Sequence, residues 1–160
     1  MDIFSEYNKI LTDSSFTILS LDKDRPWGGF FVIAEGQAQK FADTYFDGLD
    51  VSTIKKGGKL GPKILIVAPE KRLSWQYHHR RAEIWRVIQG QAGVKRSITD
   101  TEGKLELLNV GDTITLQQGE RHRLIGLSDY AVIAEIWQHT DANHPSDEDD
   151  IVRVQDDFNR

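Results

Sequence analysis

Two of the five histidines of this chain, His78 and His79, stand side by side in the stretch LSWQYHHRRAEIWRVIQG, residues 73–90. The same stretch holds Gln76 and Glu83, and His122 follows the turn Gly119-Glu120-Arg121. Two imidazoles, a carboxylate and an amide make a mixed nitrogen and oxygen donor set. Such a set suits a borderline divalent ion such as Zn²⁺, with Mn²⁺, Fe²⁺ and Ni²⁺ as alternatives. Cysteine is absent, which removes thiolate ligands and disulfides and fits a cytoplasmic location.

These residues can share a site only if the chain turns them to one face. Read as a strand, residues 73–78 alternate. Leu73, Trp75 and Tyr77 then take one face and Ser74, Gln76 and His78 the other, so His79 points away from His78. Glu83, Trp85 and Val87 share a face of the next strand. A tight connection after His78 would fold that strand back as an antiparallel partner, with Glu83 opposite Gln76 and His78. The competing reading pairs Glu83 with Arg80 or Arg81 on a solvated turn and leaves the histidines as surface or satisfied core groups.

The elements that must position this set read as short strands. Expected strands are residues 29–34, 63–68, 73–78, 84–88, 93–99, 104–109, 113–116, 122–125 and 131–138. Lys56-Gly57-Gly58, Gly61-Pro62, residues 100–103 and Gly111-Asp112 punctuate them. This pattern predicts an all-β sandwich or barrel in a single domain. The first dozen residues predict a short helix or arm, and residues 39–46 a short helix. No Gly-rich phosphate loop or nucleophile elbow occurs. The net charge of −5 resides in residues 141–160, which hold seven acids against Arg153 and Arg160. The rest is balanced, so no broad basic face for nucleic acid is expected. No apolar run suits a membrane span, and the N-terminus lacks a secretory pattern.

The two halves of the donor set read Gln76-x-His78-x4-Glu83-x6-Gly90 and Gly111-x5-Gln117-x-Gly119-x2-His122. They resemble the two motifs of the cupin superfamily, with Gln76 at the usual first histidine, Gln117 at a proline and Gly126 at an asparagine. LSWQYHHRRAEIW also resembles the corresponding segment of type II phosphomannose isomerases, in which glutamine replaces the first cupin histidine. RPWG at residues 25–28, GERHRL at 119–124 and the ending EDDIVRVQDDFNR match their other segments. The resemblance runs over residues 25–160. It implies a cupin (double-stranded β-helix, jelly-roll) barrel over 25–160, preceded by an arm at 1–24. It implies Gln76, His78, Glu83 and His122 as ligands of one divalent metal ion. Arg80, Ile84 and Asn159 depart from the family's histidine, histidine and glycine, and residues 35–62 read as an insertion. Bifunctional relatives carry a preceding nucleotidyltransferase domain, and no motif for that activity is expected here.

The chemistry implied is aldose–ketose isomerisation of a sugar phosphate, most simply mannose 6-phosphate to fructose 6-phosphate. It needs a base, charge stabilisation at the sugar oxygens and a phosphate grip. Glu135, which alternates with Ile133 and Trp137, is the candidate base, or else a charge on an outer face. Arg153 is the candidate phosphate or hydroxyl ligand, with Lys63, Arg25 and Arg160 behind it, or else a partner of the neighbouring acids. Trp27 and Trp85 belong to the core or stack on sugar. The rival functions are another metal-cupin enzyme such as an oxygenase, and a non-catalytic sugar-binding or regulatory cupin. Exposed sheet edges suggest a homodimer.

Overall fold

The computed structural model describes residues 1–159. In chain order the strands are β1 (Ile18–Arg25), β2 (Gly28–Ile33), β3 (Lys63–Val67), β4 (Trp75–Tyr77), β5 (Arg81–Gln89) and β6 (Ala92–Ser97), then β7 (Glu106–Leu108), β8 (Thr113–Leu116), β9 (Arg121–Gly126), β10 (Ala131–His139) and β11 (Val152–Gln155). They form a six-stranded sheet in the order β1-β2-β3-β10-β5-β8 and a five-stranded sheet in the order β11-β4-β9-β6-β7. Every ladder is antiparallel. This is a cupin barrel, with both sheets contributing to one interior. No helix among the described residues is long and apolar enough to cross a membrane.

Alternation sorts the core into two compartments. Leu65, Val67, Ala131 and Ile133 turn inward and pack with Trp85, Val87, Val94 and Leu124 between the sheets. Ile64, Ile66, Val132, Ala134 and Ile136 turn outward into a second cluster. Strands β3 and β10 are therefore buried on both faces, which is why they read as nearly unbroken apolar runs.

The outer face is covered by helices. Helix α1 (Ile3–Asp13) is capped by the Asp2 carboxylate, which accepts from the Ser5 N–H, and it buries Tyr7 and Leu11 one turn apart. The stretch expected as an insertion forms a 3-10 turn at Glu35–Gln37, helix α2 (Ala38–Tyr45) and helix α3 (Ser52–Lys55). Helix α2 buries Ala38, Phe41 and Ala42, a three- and four-residue spacing that makes one apolar stripe. These helices thus cover the outer core.

Three expectations need correction. Strand β1, within the stretch read as an arm, pairs with β2, and β11 pairs with β4; neither strand was expected. The third concerns β4 and β5, which do not pair: β5 lies between β10 and β8, and β4 between β11 and β9. Glu83 therefore meets the Gln76/His78 pair across the barrel interior and not along a hairpin. At Gly126, where cupins usually carry asparagine, an added Cβ would lie 2.0 Å from the Ala68 carbonyl oxygen. The close approach of these backbones requires glycine there.

Phe41→Ala should cost about 3–5 kcal/mol of folding stability in chemical denaturation, because Phe41 is fully buried against the outer sheet face. A loss below about 1 kcal/mol would mean that the helical layer does not hold the sheet.

Candidate metal centre

His78 follows β4, His122 lies on β9 and Glu83 lies on β5, so both sheets supply donors. Gln76 and His122 are directly paired in the β4–β9 ladder. Each histidine ring turns Nδ1 toward a backbone carbonyl: His78 toward Asp150 at 2.6 Å and His122 toward Glu120 at 3.0 Å. A carbonyl only accepts, so each Nδ1 carries the proton and each Nε2 keeps a lone pair. Those Nε2 atoms lie 3.5 Å (His78) and 3.3 Å (His122) from Glu83 Oε1.

The three converging atoms are buried and have no hydrogen-bond partner among the described residues. Three buried lone pairs facing each other are costly unless something positive sits between them. All lie within 4.8 Å of one another, and the His78, Glu83 and His122 set can hold a metal ion. Two atoms each bonded at 2.0–2.1 Å to a tetrahedral ion stand about 3.3 Å apart, close to the spacings seen here. Without a cation, the same field draws a proton. Burial pulls the His78 pKa down, but the Glu83 carboxylate outweighs it and the net shift is upward. Burial likewise opposes the charge on Glu83, yet His78 and Arg81 hold its carboxyl well below the ordinary range. Gln76 is half-buried in the same cavity, and its amide oxygen accepts from the Ser74 hydroxyl at 2.6 Å. That oxygen retains a second lone pair.

Two positioning residues were missed in the sequence. Arg81 is buried, donates through Nε to Glu83 Oε2 at 3.1 Å, and lies over the Trp137 ring at 3.9 Å. It occupies one carboxylate oxygen and leaves Oε1 to face the histidines. It also donates to the Ser146 hydroxyl and the Asp147 carbonyl. The Arg81–Glu83 pairing weighed in the sequence exists, but it is buried beside the histidines and not on a solvated turn. Asp150 clamps the turn after β4: its carboxylate accepts from the backbone N–H groups of His79 and Arg80, each at 2.9 Å, and its own carbonyl fixes His78. Burial opposes its charge, but these bonds and the Ser146 hydroxyl hold its pKa below the ordinary value. The signals are the alternation linking Arg81 to Glu83, and the EDD run, whose resemblance to the family's closing segment assigns Asp150 no role. His79 is exposed, as alternation required.

The remaining expected residues converge on one cavity of about 260 Å³, lined among others by Gln76, His78, Glu83, Glu135, Lys63, Arg25 and Arg153. Glu135 is buried on the inward face, not on the outer face that the sequence left open, and accepts from the Trp85 indole at 2.9 Å. Burial, reinforced by the Glu83 charge, pushes its pKa up to about 7. Lys63 binds both oxygens of Glu148, at 2.9 and 3.0 Å. Arg25 pairs with Asp22 at 2.9 Å at the cavity edge. Trp85 packs in the inner core, as one of the two readings expected, and also lines the cavity. Arg160 lies outside the described residues.

None of the three departures from the family pattern is among the converging donors, although Arg80 lies 3.8 Å (Nε) from the Asp150 carboxylate that supports His78. Arg80 reaches away to the Pro145 carbonyl and Asp147. Ile84 packs on the outer core, on the face of β5 opposite Glu83. Asn159 has φ 55°, a left-handed conformation that glycine favours and asparagine tolerates.

The protein should bind about one divalent ion per chain by elemental analysis, and His122→Ala should abolish this. Affinity should fall as pH drops, because protons compete for His78, whose pKa is raised. Zero metal after loading would overturn the centre. Asp150→Asn should lower stability at neutral pH. The depressed Asp150 pKa makes its contribution present above the unfolded-state value and lost on acidification, so wild type and variant should converge in acid.

Known proteins place this geometry in context. Residues 37–156 match the family described as "Mannose-6-phosphate isomerase C-terminal". The alginate biosynthesis protein AlgA of Pseudomonas aeruginosa is 29% identical over 124 residues, covering 78% of this chain and 24% of AlgA. The chain thus spans about a quarter of that curated relative. The capsular polysaccharide assembling protein CapF of Staphylococcus aureus superposes with a TM-score of 0.57 at 12% identity, over 85% of this chain and 34% of CapF. A second CapF structure gives 0.56 at 16% identity, over 90% and 34%. That likeness concerns the fold alone. The match over residues 37–156 makes the chain a member of the mannose-6-phosphate isomerase C-terminal family, within the cupin superfamily.

Proposed function

We propose that this protein is a metal-dependent aldose–ketose isomerase of a sugar phosphate, most simply interconverting mannose 6-phosphate and fructose 6-phosphate. The observation that carries the reading is Glu135, a buried carboxyl with a pKa of about 7 that lines the same cavity as the converging donors of His78 and Glu83. A general base works best when its pKa lies near the working pH.

Isomerisation moves a proton between C1 and C2 of the open-chain sugar. Trp85 donates to Glu135 Oε1, which fixes the carboxylate and leaves Oε2 to take the proton from one carbon and return it to the other. Gln76, His78, Glu83 and His122 would hold the ion. When bound, a divalent ion supplies positive charge against the sugar oxygens as negative charge develops there. Lys63, Arg25 and Arg153, at the cavity wall, are the groups for the phosphate. Leu65, Leu73 and Trp85 line the wall with apolar surface and limit water near the reacting carbons.

A coupled assay for mannose 6-phosphate should give turnover that chelator removes and metal restores. Glu135→Gln should lower kcat by about 10²–10⁴-fold while metal content is unchanged. The wild-type rate should rise with pH through an acidic limb that the variant lacks, because Glu135 must lose its proton to act. In chelated protein that titration sits at about 7, and a cation against Glu83 offsets the repulsion and moves it lower. Metal bound without turnover on any hexose or pentose phosphate would instead identify a non-catalytic binder, and oxygen uptake would identify an oxygenase.

A further inference from the structure

Lys63 is an unusual place for a positive charge. It begins the otherwise apolar strand β3, and its side chain is only 10% exposed. Its ammonium lies 5.0 Å from the Trp137 ring centroid and 5.8 Å from that of Phe30, so aromatic faces form much of its surroundings. A buried ammonium requires an anion or several acceptors. Glu148 provides the anion, binding through both oxygens at 2.9 and 3.0 Å.

The partners are unequal. Glu148 is 58% exposed and reaches inward from the segment between β10 and β11. Its neighbours anchor that segment without it: Ser146 and the Asp147 carbonyl hold Arg81, and Asp150 holds the turn at His79 and Arg80. Glu148 can therefore rotate into water while the segment stays in place. Lys63 cannot follow it, because its strand is paired on both sides, with β2 and β10. Both residues line the cavity that holds Gln76, His78 and Glu135.

We propose that Lys63 and Glu148 form an exchangeable anion subsite: the phosphate of the ligand takes the Lys63 ammonium and turns Glu148 out of the cavity. The inference deepens the isomerase reading and rests on it for the identity of the ligand. Glu148 is a resident competitor that satisfies the buried lysine when the cavity is empty. A neutral sugar offers no charge to replace it, whereas a phosphate dianion replaces it with acceptors to spare. The subsite selects phosphorylated sugars and weakens their binding by the cost of breaking the resident pair.

The test is a calorimetric titration of the metal-loaded protein with inorganic phosphate, using wild type, Glu148→Gln, Lys63→Met and the double variant. Thermal melts confirm folding. Glu148→Gln should tighten phosphate about two- to fivefold, the scale of a half-exposed ion pair. Lys63→Met should weaken it by about tenfold or more, and in that background Glu148→Gln should have no further effect. Equal binding by wild type and Glu148→Gln, or tightening that persists without Lys63, would overturn the subsite. So would an unfolded Lys63→Met accompanied by a Glu148→Gln variant that binds phosphate no tighter. The titration needs no turnover, so it separates the two claims. Tightening without mannose 6-phosphate turnover defeats the isomerase reading alone. Turnover with indifferent phosphate binding defeats the subsite alone.

Discussion

The arrangement depends on three buried lone pairs that face one another: His78 Nε2, His122 Nε2 and Glu83 Oε1. None has a hydrogen-bond donor opposite it among the described residues, and each atom is buried. Only a positive species resolves the conflict. Because the five-stranded sheet carries the histidines and the six-stranded sheet carries Glu83, that species also ties the sheets together. The apolar cluster of Trp85, Val87, Leu124 and Ile133 fixes the sheets in the rest of the interior. The donor set is held from outside as well, by carbonyls of Glu120 and Asp150 and by the Arg81 guanidinium. Such fixed outer contacts decide which atom of each ligand faces inward.

The acidic segment near the C-terminus is part of this machinery. It accounts for the whole net charge of the chain, and as composition it reads as a solvated tail. In the fold several of its charges have specific partners. Asp150 clamps the turn that presents His78, Glu148 covers Lys63, and Asp157 forms a two-bond pair with Arg72 that draws its pKa to about 2. Strand β11 brings Arg153 alongside Gln76 in the ladder. Arg123, fully buried, joins the loop after β6 to the same strand by bonding Glu102 and Gln155. A stretch that looks like a tail is thus a strap closing the cavity wall.

What the sequence made legible follows from how local each feature is. Strand alternation placed His78 with Gln76, turned His79 outward, and set Glu135 on a common face with Ile133, because these depend on two-residue periodicity alone. The donor spacing was legible because it recurs as a motif. Sheet membership was not: β4 and β5 are neighbours in sequence yet belong to different sheets, and only the closure of the barrel decides that Glu83 faces the histidines across the interior. Strand β1 was missed because only Ile18 and Asp22 are even partly buried, so its apolar residues show no inward face. Helix α3 is four residues long and held by burial of Ile54, too short for a periodic signal.

The substitutions that set this chain apart from its family bear on whether the cavity can still work. A loss of function by drift would be expected to reach the donors or their supports. Instead Ile84 lies on the outer face of β5, Arg80 adds a contact to the supporting Asp150 while spanning to Pro145 and Asp147, and Asn159 adopts the left-handed backbone that its position demands. Gln76 remains beside the donors. Of the converging His78, Glu83 and His122 only Glu83 carries negative charge, so a divalent ion held there would retain net positive charge toward the cavity. The cavity also holds a buried carboxyl poised near neutrality and a buried ammonium with an exposed partner. Both cost stability in a barrel that could have filled the space with aliphatic side chains. Groups that strain a fold while pointing into its cavity are what a reaction at that cavity would require.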